Sequence, residues 1–165
     1  MGKNNGKKAS ATGSGLSDKA RKTMVDVLNR LLADEFVLYV KTRNFHWNVV
    51  GPNFSELHKF FEGQYEQLDG SIDDIAERAR ALDGMAAGSM TDFLKLTRLT
   101  EASSHLSAPE MLRALLADHE QLIRQLRSDI EIAADAGDSG TEDFLTGLME
   151  GHEKSAWMLR AFARS

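Results

Sequence analysis

Large apolar residues recur three and four positions apart along most of this chain. Met24, Val27/Leu28, Leu31/Leu32 and Leu38/Tyr39 form one such stripe. It predicts a helix that starts at Ser17-Asp18, with Asp18 favourable in the first turn, and runs to about Asn48. Gly51-Pro52 breaks the run. Asn53 followed by Glu56 resembles a capping box and predicts a second long helix from Asn53 to Leu82, which Asp83-Gly84 ends. Residues 90–99, MTDFLKLTRL, predict two to three turns carrying Phe93, Leu94 and Leu96. That piece is too short for a full bundle member and is expected to pack across a seam or an interface. Ser107, Pro109 and Glu110 make a strong helix start, a capping box with proline in the first turn. The third long helix follows, with Leu112, Leu115/Leu116, His119, Leu122/Ile123, Leu126 and Ile130 in register, and Gly137 stops it. Thr141, Glu142 and Asp143 begin a fourth, which carries Phe144/Leu145, Leu148, His152, Leu159 and Phe162. No strand pattern and no repeat is present.

Four long amphipathic helices predict an all-α four-helix bundle with a short extra helix between the second and third. The connection between those two, residues 83–107, is long enough to let them run parallel. His119 and His152 lie on apolar stripes and are expected to be buried, hydrogen-bonded core histidines.

Composition changes this picture in three places. The 165 residues make one domain, and 42% apolar residues suffice for a core. No apolar run approaches the ~20 residues of a membrane span, and no apolar segment follows the Lys/Gly/Ser-rich N-terminus, so a secretory signal is not expected. The chain has no cysteine, which removes disulfides, thiolate metal sites and a cysteine nucleophile, and fits an intracellular protein. The net charge of -5 is uneven: residues 1–15 hold Lys3, Lys7 and Lys8 and no acid, so the rest carries -8. The expectation is a disordered basic tail over 1–16 and a folded, acidic body over 17–165. An acidic body repels nucleic acid, so any DNA contact runs through the tail.

The candidate chemistry lies between Phe45 and Asp83, which hold His46, His58, Glu62, Asp73 and Glu77. On a helix, His58 and Glu62 sit one turn apart on one face, as do Asp73 and Glu77. Glu62 and Asp73 share a side, but eleven residues at ~1.5 Å each separate them by ~16 Å. One ion with ligands at about 2 Å cannot touch both pairs. Either the two half-sites never meet, or a second copy of the chain completes each. An antiparallel copy across a two-fold axis would set Asp73 and Glu77 of one chain opposite His58 and Glu62 of the other, with His46 folded back beside His58. Taken singly, each residue has an ordinary reading as a surface pair or solvated face. Together, three carboxylates and two imidazoles without sulfur suit Fe, Mn or Zn, and the carboxylates favour iron. Such a site supports Fe(II) oxidation by peroxide or dioxygen. Trp47 and Tyr65 are near enough in sequence to receive stray oxidising equivalents, although packing at a helix interface is their ordinary role. No histidine has a glutamate three residues before it, which disfavours a di-iron site inside one bundle. Gly63 and Gly70, inside the second helix, weaken it by ~1 kcal/mol each relative to alanine and point to close helix approach at the two-fold axis.

The stretch HWNVVGPNF…LH…E…D…AERA, with spacing His-x11-His-x3-Glu-x10-Asp-x3-Glu, resembles the Dps family, the mini-ferritins also described as DNA-binding proteins from starved cells. The resemblance covers nearly all of the chain after residue 16. It implies a ferritin-like bundle assembled into a hollow homo-dodecamer that oxidises iron, stores it as a ferric core, removes peroxide and serves in stress response. It also implies that His46, His58 and Glu62 come from one subunit and Asp73 and Glu77 from its two-fold neighbour. Many members carry aspartate where this chain has Glu62, one methylene longer. Iron entry through acidic three-fold pores would involve Asp135, Asp138, Glu142 and Asp143, whose alternative role is to cap a helix. The tail lysines would bind DNA, many weak arms acting together on one shell. A cytoplasmic, nucleoid-associated protein is implied. The competing reading is a non-enzymatic DNA-compacting shell whose metal site is vestigial or structural.

Overall fold

The computed structural model describes residues 13–103 and 105–163, and all regular structure among them is helical. Five helices occur in order: α1 (Asp18–Asn48), α2 (Phe54–Ala81), α3 (Met90–Leu96), α4 (Ala108–Ala136) and α5 (Ser139–Ala163). The tail lysines Lys3, Lys7 and Lys8 lie outside the described residues. No helix among those described is long and apolar enough to cross a membrane.

The helix ends follow local chemistry, with two departures from expectation. Ser17 caps α1, its hydroxyl accepting from the Ala20 amide at 3.1 Å. At α4 the Glu110 carboxylate accepts from the Ser107 amide at 2.7 Å and from its hydroxyl at 2.6 Å. These bonds hold the Glu110 carboxyl below its ordinary pKa. Asn53 precedes α2 but forms no side-chain cap, since its backbone (φ -100°, ψ 25°) is not the extended form in which a side chain reaches forward. The fourth long helix starts before Thr141: Asp138 is its cap and accepts from the Thr141 amide at 3.1 Å. At the end of α2 the left-handed residue is Asp83 (φ 64°) rather than Gly84. Gly84 answers a different need, because a Cβ there would fall 2.3 Å from Val25 on α1.

Cross-bundle contacts give the topology. His46 meets His58 and Tyr39 meets Tyr65, so α1 and α2 are antiparallel. Lys41 pairs with Asp118, and Arg98 ties both Asp34 and Asp129, so α4 also runs antiparallel to α1. Arg160 with Glu120 and Arg127 with Glu153 set α5 antiparallel to α4. Hence α2 and α4 are parallel, and residues 82–107 return along the bundle. The predicted long crossover is therefore present.

That crossover is fixed by buried polar bonds. Asn29 on α1 donates to the Met85 carbonyl at 2.9 Å and accepts from the Ala87 amide at 2.8 Å. Asp34, fully buried, accepts from Thr97 Oγ1 and from the Arg98 amide and guanidinium. Phe93 of α3 stacks on Phe36 of α1 at 4.3 Å, while Met90 and Leu94 remain exposed. The short helix thus seals α1 on one side and presents an apolar face on the other. Between the four long helices lies one core, with Met24, Leu28, Leu31, Leu38 and Phe45 from α1, Phe61 and Ile75 from α2, Leu115, Leu122 and Leu126 from α4, and Leu145 and Leu159 from α5.

Candidate metal centre

The last turn of α1 and the first turns of α2 hold His46 and His58 in a reciprocal lock. His46 Nδ1 lies 2.8 Å from the His58 carbonyl, and His58 Nδ1 lies 2.8 Å from the His46 carbonyl. A carbonyl oxygen only accepts, so both Nδ1 atoms carry hydrogen and both Nε2 atoms keep their lone pairs when the rings are neutral. The rings stack with centroids 3.7 Å apart. Anchoring one ring nitrogen on a carbonyl and freeing the other is the arrangement that orients a metal-binding imidazole.

Glu62, one turn beyond His58, is half-buried, and the Tyr65 hydroxyl approaches it at a long 3.5 Å. Partial burial, and then the Glu62 charge, raise the Tyr65 pKa, so its hydroxyl remains protonated at neutral pH. Tyr65 also meets the His46 ring edge-on at 5.2 Å. Asp73 and Glu77 are exposed further along α2. Among the described residues, no three His, Cys, Asp or Glu side chains of one chain are grouped to hold a metal ion. The structure therefore brings His46 and His58 together, with Glu62 one turn further along α2, and groups neither Glu62 nor Asp73 and Glu77 with them as a three-ligand set. A Cβ added at Gly63 or Gly70 would meet nothing within 4 Å, so packing inside the chain does not require glycine there.

A feature absent from the sequence reading is Arg43. Its guanidinium lies over Tyr65 at 4.4 Å, Tyr39 at 5.4 Å and Trp47 at 5.5 Å, and it donates to the Tyr39 hydroxyl at 2.5 Å. Trp47 itself is 65% exposed, so tight packing within the chain does not explain it. The available signal was the i, i+4, i+8 spacing of Tyr39, Arg43 and Trp47 on one face of α1.

The four acidic residues near α5 divide. Asp138 is buried, receives Arg78 at 2.8 Å and Thr141, and so has the capping role named as the alternative. Asp135 and Asp143 are exposed and Glu142 is half-buried. His119 and His152 are buried and hydrogen-bonded, as the apolar stripes predicted.

Residues 25–165 match the ferritin-like domain family. The chain is 51% identical over 150 residues to an uncharacterized low temperature-induced protein of Nostoc sp., covering 90% of this chain and 84% of that protein. It is 40% identical over 141 residues to DNA protection during starvation protein 2 of Bacillus anthracis, covering 86% and 97%. A solved Dps structure from Vibrio cholerae O1, described as a member of a broad superfamily of ferritin-like diiron-carboxylate proteins, superposes with a TM-score of 0.86 at 33% identity, covering 90% and 93%. The fold and the family match thus define a ferritin-like protein, and these likenesses narrow the class. The chain belongs to the Dps family.

Proposed function

We propose that this protein is a mini-ferritin whose subunits pair antiparallel along α2, so that Asp73 and Glu77 of one subunit complete the His46, His58 and Glu62 half-site of the other. The observation that carries this reading is the reciprocal His46–His58 lock, which leaves both Nε2 lone pairs available when the rings are neutral. The separation of the carboxylate pairs, ~16 Å along the helix, explains why one chain does not finish a site. Gly63 and Gly70, unneeded within the chain, suit close approach of a second α2.

Iron is the substrate of this site. Two imidazoles and three carboxylates bind Fe(II) and favour the ferric product through carboxylate charge. Hydrogen peroxide, or dioxygen, takes the electrons, and ferric iron accumulates inside a hollow homo-dodecamer. Tyr65, Arg43 and Trp47 lie beside the half-site, where the aromatic rings are placed to take stray oxidising equivalents. Asp135, Glu142 and Asp143, with Asp138 behind them as the cap of α5, are the proposed iron-entry residues. Lys3, Lys7 and Lys8 are the proposed DNA contacts, and the protein protects DNA in the cytoplasm as part of a stress response.

The test is anaerobic loading with Fe(II) followed by a stoichiometric pulse of hydrogen peroxide, with the ferric absorbance followed in time. Rapid oxidation with two sites per dimer supports the reading. No acceleration over buffer rejects it in favour of a DNA-compacting shell. Deleting residues 1–15 is expected to abolish duplex retardation at low salt while oxidation survives. Equal retardation by the truncated protein removes the tail from the DNA contact.

A further inference from the structure

The centre of the bundle contains a polar chain that the metal half-site does not use. Glu35 on α1, fully buried, lies 2.6 Å from His152 Nε2 on α5. His152 Nδ1 lies 2.9 Å from His119 Nδ1 on α4. His119 is 1% exposed, and its Nε2 is buried without a partner among the described residues. Gln64 on α2, also buried, has neither amide atom partnered. His119 and Gln64 line the same cavity of about 120 Å³, together with Gln67, Ser71, His152 and Ser155.

The unpartnered polar atoms define the character of this cavity. Burial holds His119 well below the ordinary imidazole pKa, so its ring is neutral. With Glu35 as carboxylate and His152 as a neutral imidazole, His152 donates Nε2–H to Glu35 and accepts at Nδ1. His119 then donates Nδ1–H to His152, which leaves His119 Nε2 as a bare acceptor. Gln64 supplies one further acceptor and two donors. An occupant must therefore donate at least one O–H or N–H and also accept. The lining holds no Lys or Arg to balance an anion, and Glu35, whose Oε2 has no partner among the described residues, is not one of the lining residues, so the wall suits a neutral occupant. The volume admits a few atoms and is ample for water.

We infer that this cavity is a binding site for a small neutral hydroxylic molecule, water or hydrogen peroxide, held by His119 Nε2 and the Gln64 amide. Glu35 is a positioning residue: through His152 it fixes which His119 nitrogen faces the occupant. The site is separate from the His46–His58 half-site and does not depend on the ferroxidase reading.

Iron-free, full-length protein labelled with 15N-histidine tests this by magic-angle-spinning NMR, alongside an atomic-resolution crystal structure. The expected result is His119 protonated at Nδ1 and bare at Nε2, with an ordered oxygen within hydrogen-bond distance of Nε2 and of Gln64. A proton on Nε2, an empty cavity, or a metal ion at about 2 Å from Nε2 overturns the inference. Gln64→Leu is expected to remove the ordered oxygen and keep the Nδ1 proton. Glu35→Leu is expected to produce both His119 tautomers, and an unaltered single tautomer removes Glu35 from the argument. Titration with hydrogen peroxide separates the two occupants. A saturable change in the His119 Nε2 signal, lost in Gln64→Leu, identifies peroxide, whereas an unmoved signal beside an ordered oxygen identifies water.

Discussion

The molecule holds two histidine pairs that look alike in sequence and differ in what they can do. His46 and His58 sit at the end of a helix hairpin, and each gives its Nδ1–H to the other's backbone carbonyl. Their Nε2 atoms keep their lone pairs when the rings are neutral. His119 and His152 sit in the middle of the bundle and share their Nδ1 atoms with each other, with Glu35 bonded behind. The first pair is anchored by the backbone, and in the proposed function its other nitrogens face iron. The second is anchored by a buried carboxylate, and only one nitrogen, His119 Nε2, is left over. An imidazole's role is thus set by the partner of its other nitrogen, more than by its distance from a second histidine.

The sharpest way to break this comparison is to remove the outer pair. His46→Ala combined with His58→Ala is expected to slow peroxide-driven Fe(II) oxidation at least about tenfold. Helix content by circular dichroism and assembly size should persist. Collapse of the assembly instead would make the pair structural. Next in size is the inner chain. Glu35→Ala leaves His152 Nε2–H without its acceptor and is expected to lower stability by about 1–3 kcal/mol, read from the urea midpoint. A midpoint equal to wild type would mean that Glu35 does not support the pair.

A pH series sharpens the contrast further. His119 binds its proton less readily in the fold than in the unfolded chain. The stability due to its neutral ring is complete above an unfolded pKa of about 6.5. It declines as pH falls from there through the folded pKa, by at most about 1.4 kcal/mol per pH unit. Urea midpoints measured from pH 7 to pH 5 should fall, and His119→Leu should flatten that slope. An equal slope in the variant sinks the assignment. The smallest effect is expected from Tyr65→Phe. Among the described residues the Tyr65 hydroxyl makes just the 3.5 Å contact with Glu62, so stability should change by less than about 0.5 kcal/mol. A larger loss by the same midpoint would show the contact to be stronger than its length indicates.

The helices themselves were legible because each long element writes its apolar stripe locally, and Ser17, Pro109 and Gly137 mark ends through bonds or angles within a few residues. Asn53 and Asp138 show where local reading falters. Both are good capping residues, yet the backbone at Asn53 turns away from the required form, while Asp138 caps α5 and meets Arg78 from α2 sixty residues away. The separation of the five candidate ligands was legible for a related reason: the helical rise keeps Asp73 and Glu77 away from His58 and Glu62 within one chain. The Dps-like motif made the stretch recognisable besides.

The sequence by itself therefore determined the helices, the distance along α2 between the His58–Glu62 pair and the Asp73–Glu77 pair, and the burial of His119 and His152, because all three follow from period, rise and apolar neighbours. Only the tertiary structure decided which nitrogen of each histidine is free. That choice depends on a carbonyl or carboxylate brought from another helix, and no periodicity along one helix records it. The same holds for Arg43 among its aromatic rings, and for the alignment of Glu35, His152 and His119 across three helices, where contact is made between residues up to 117 positions apart.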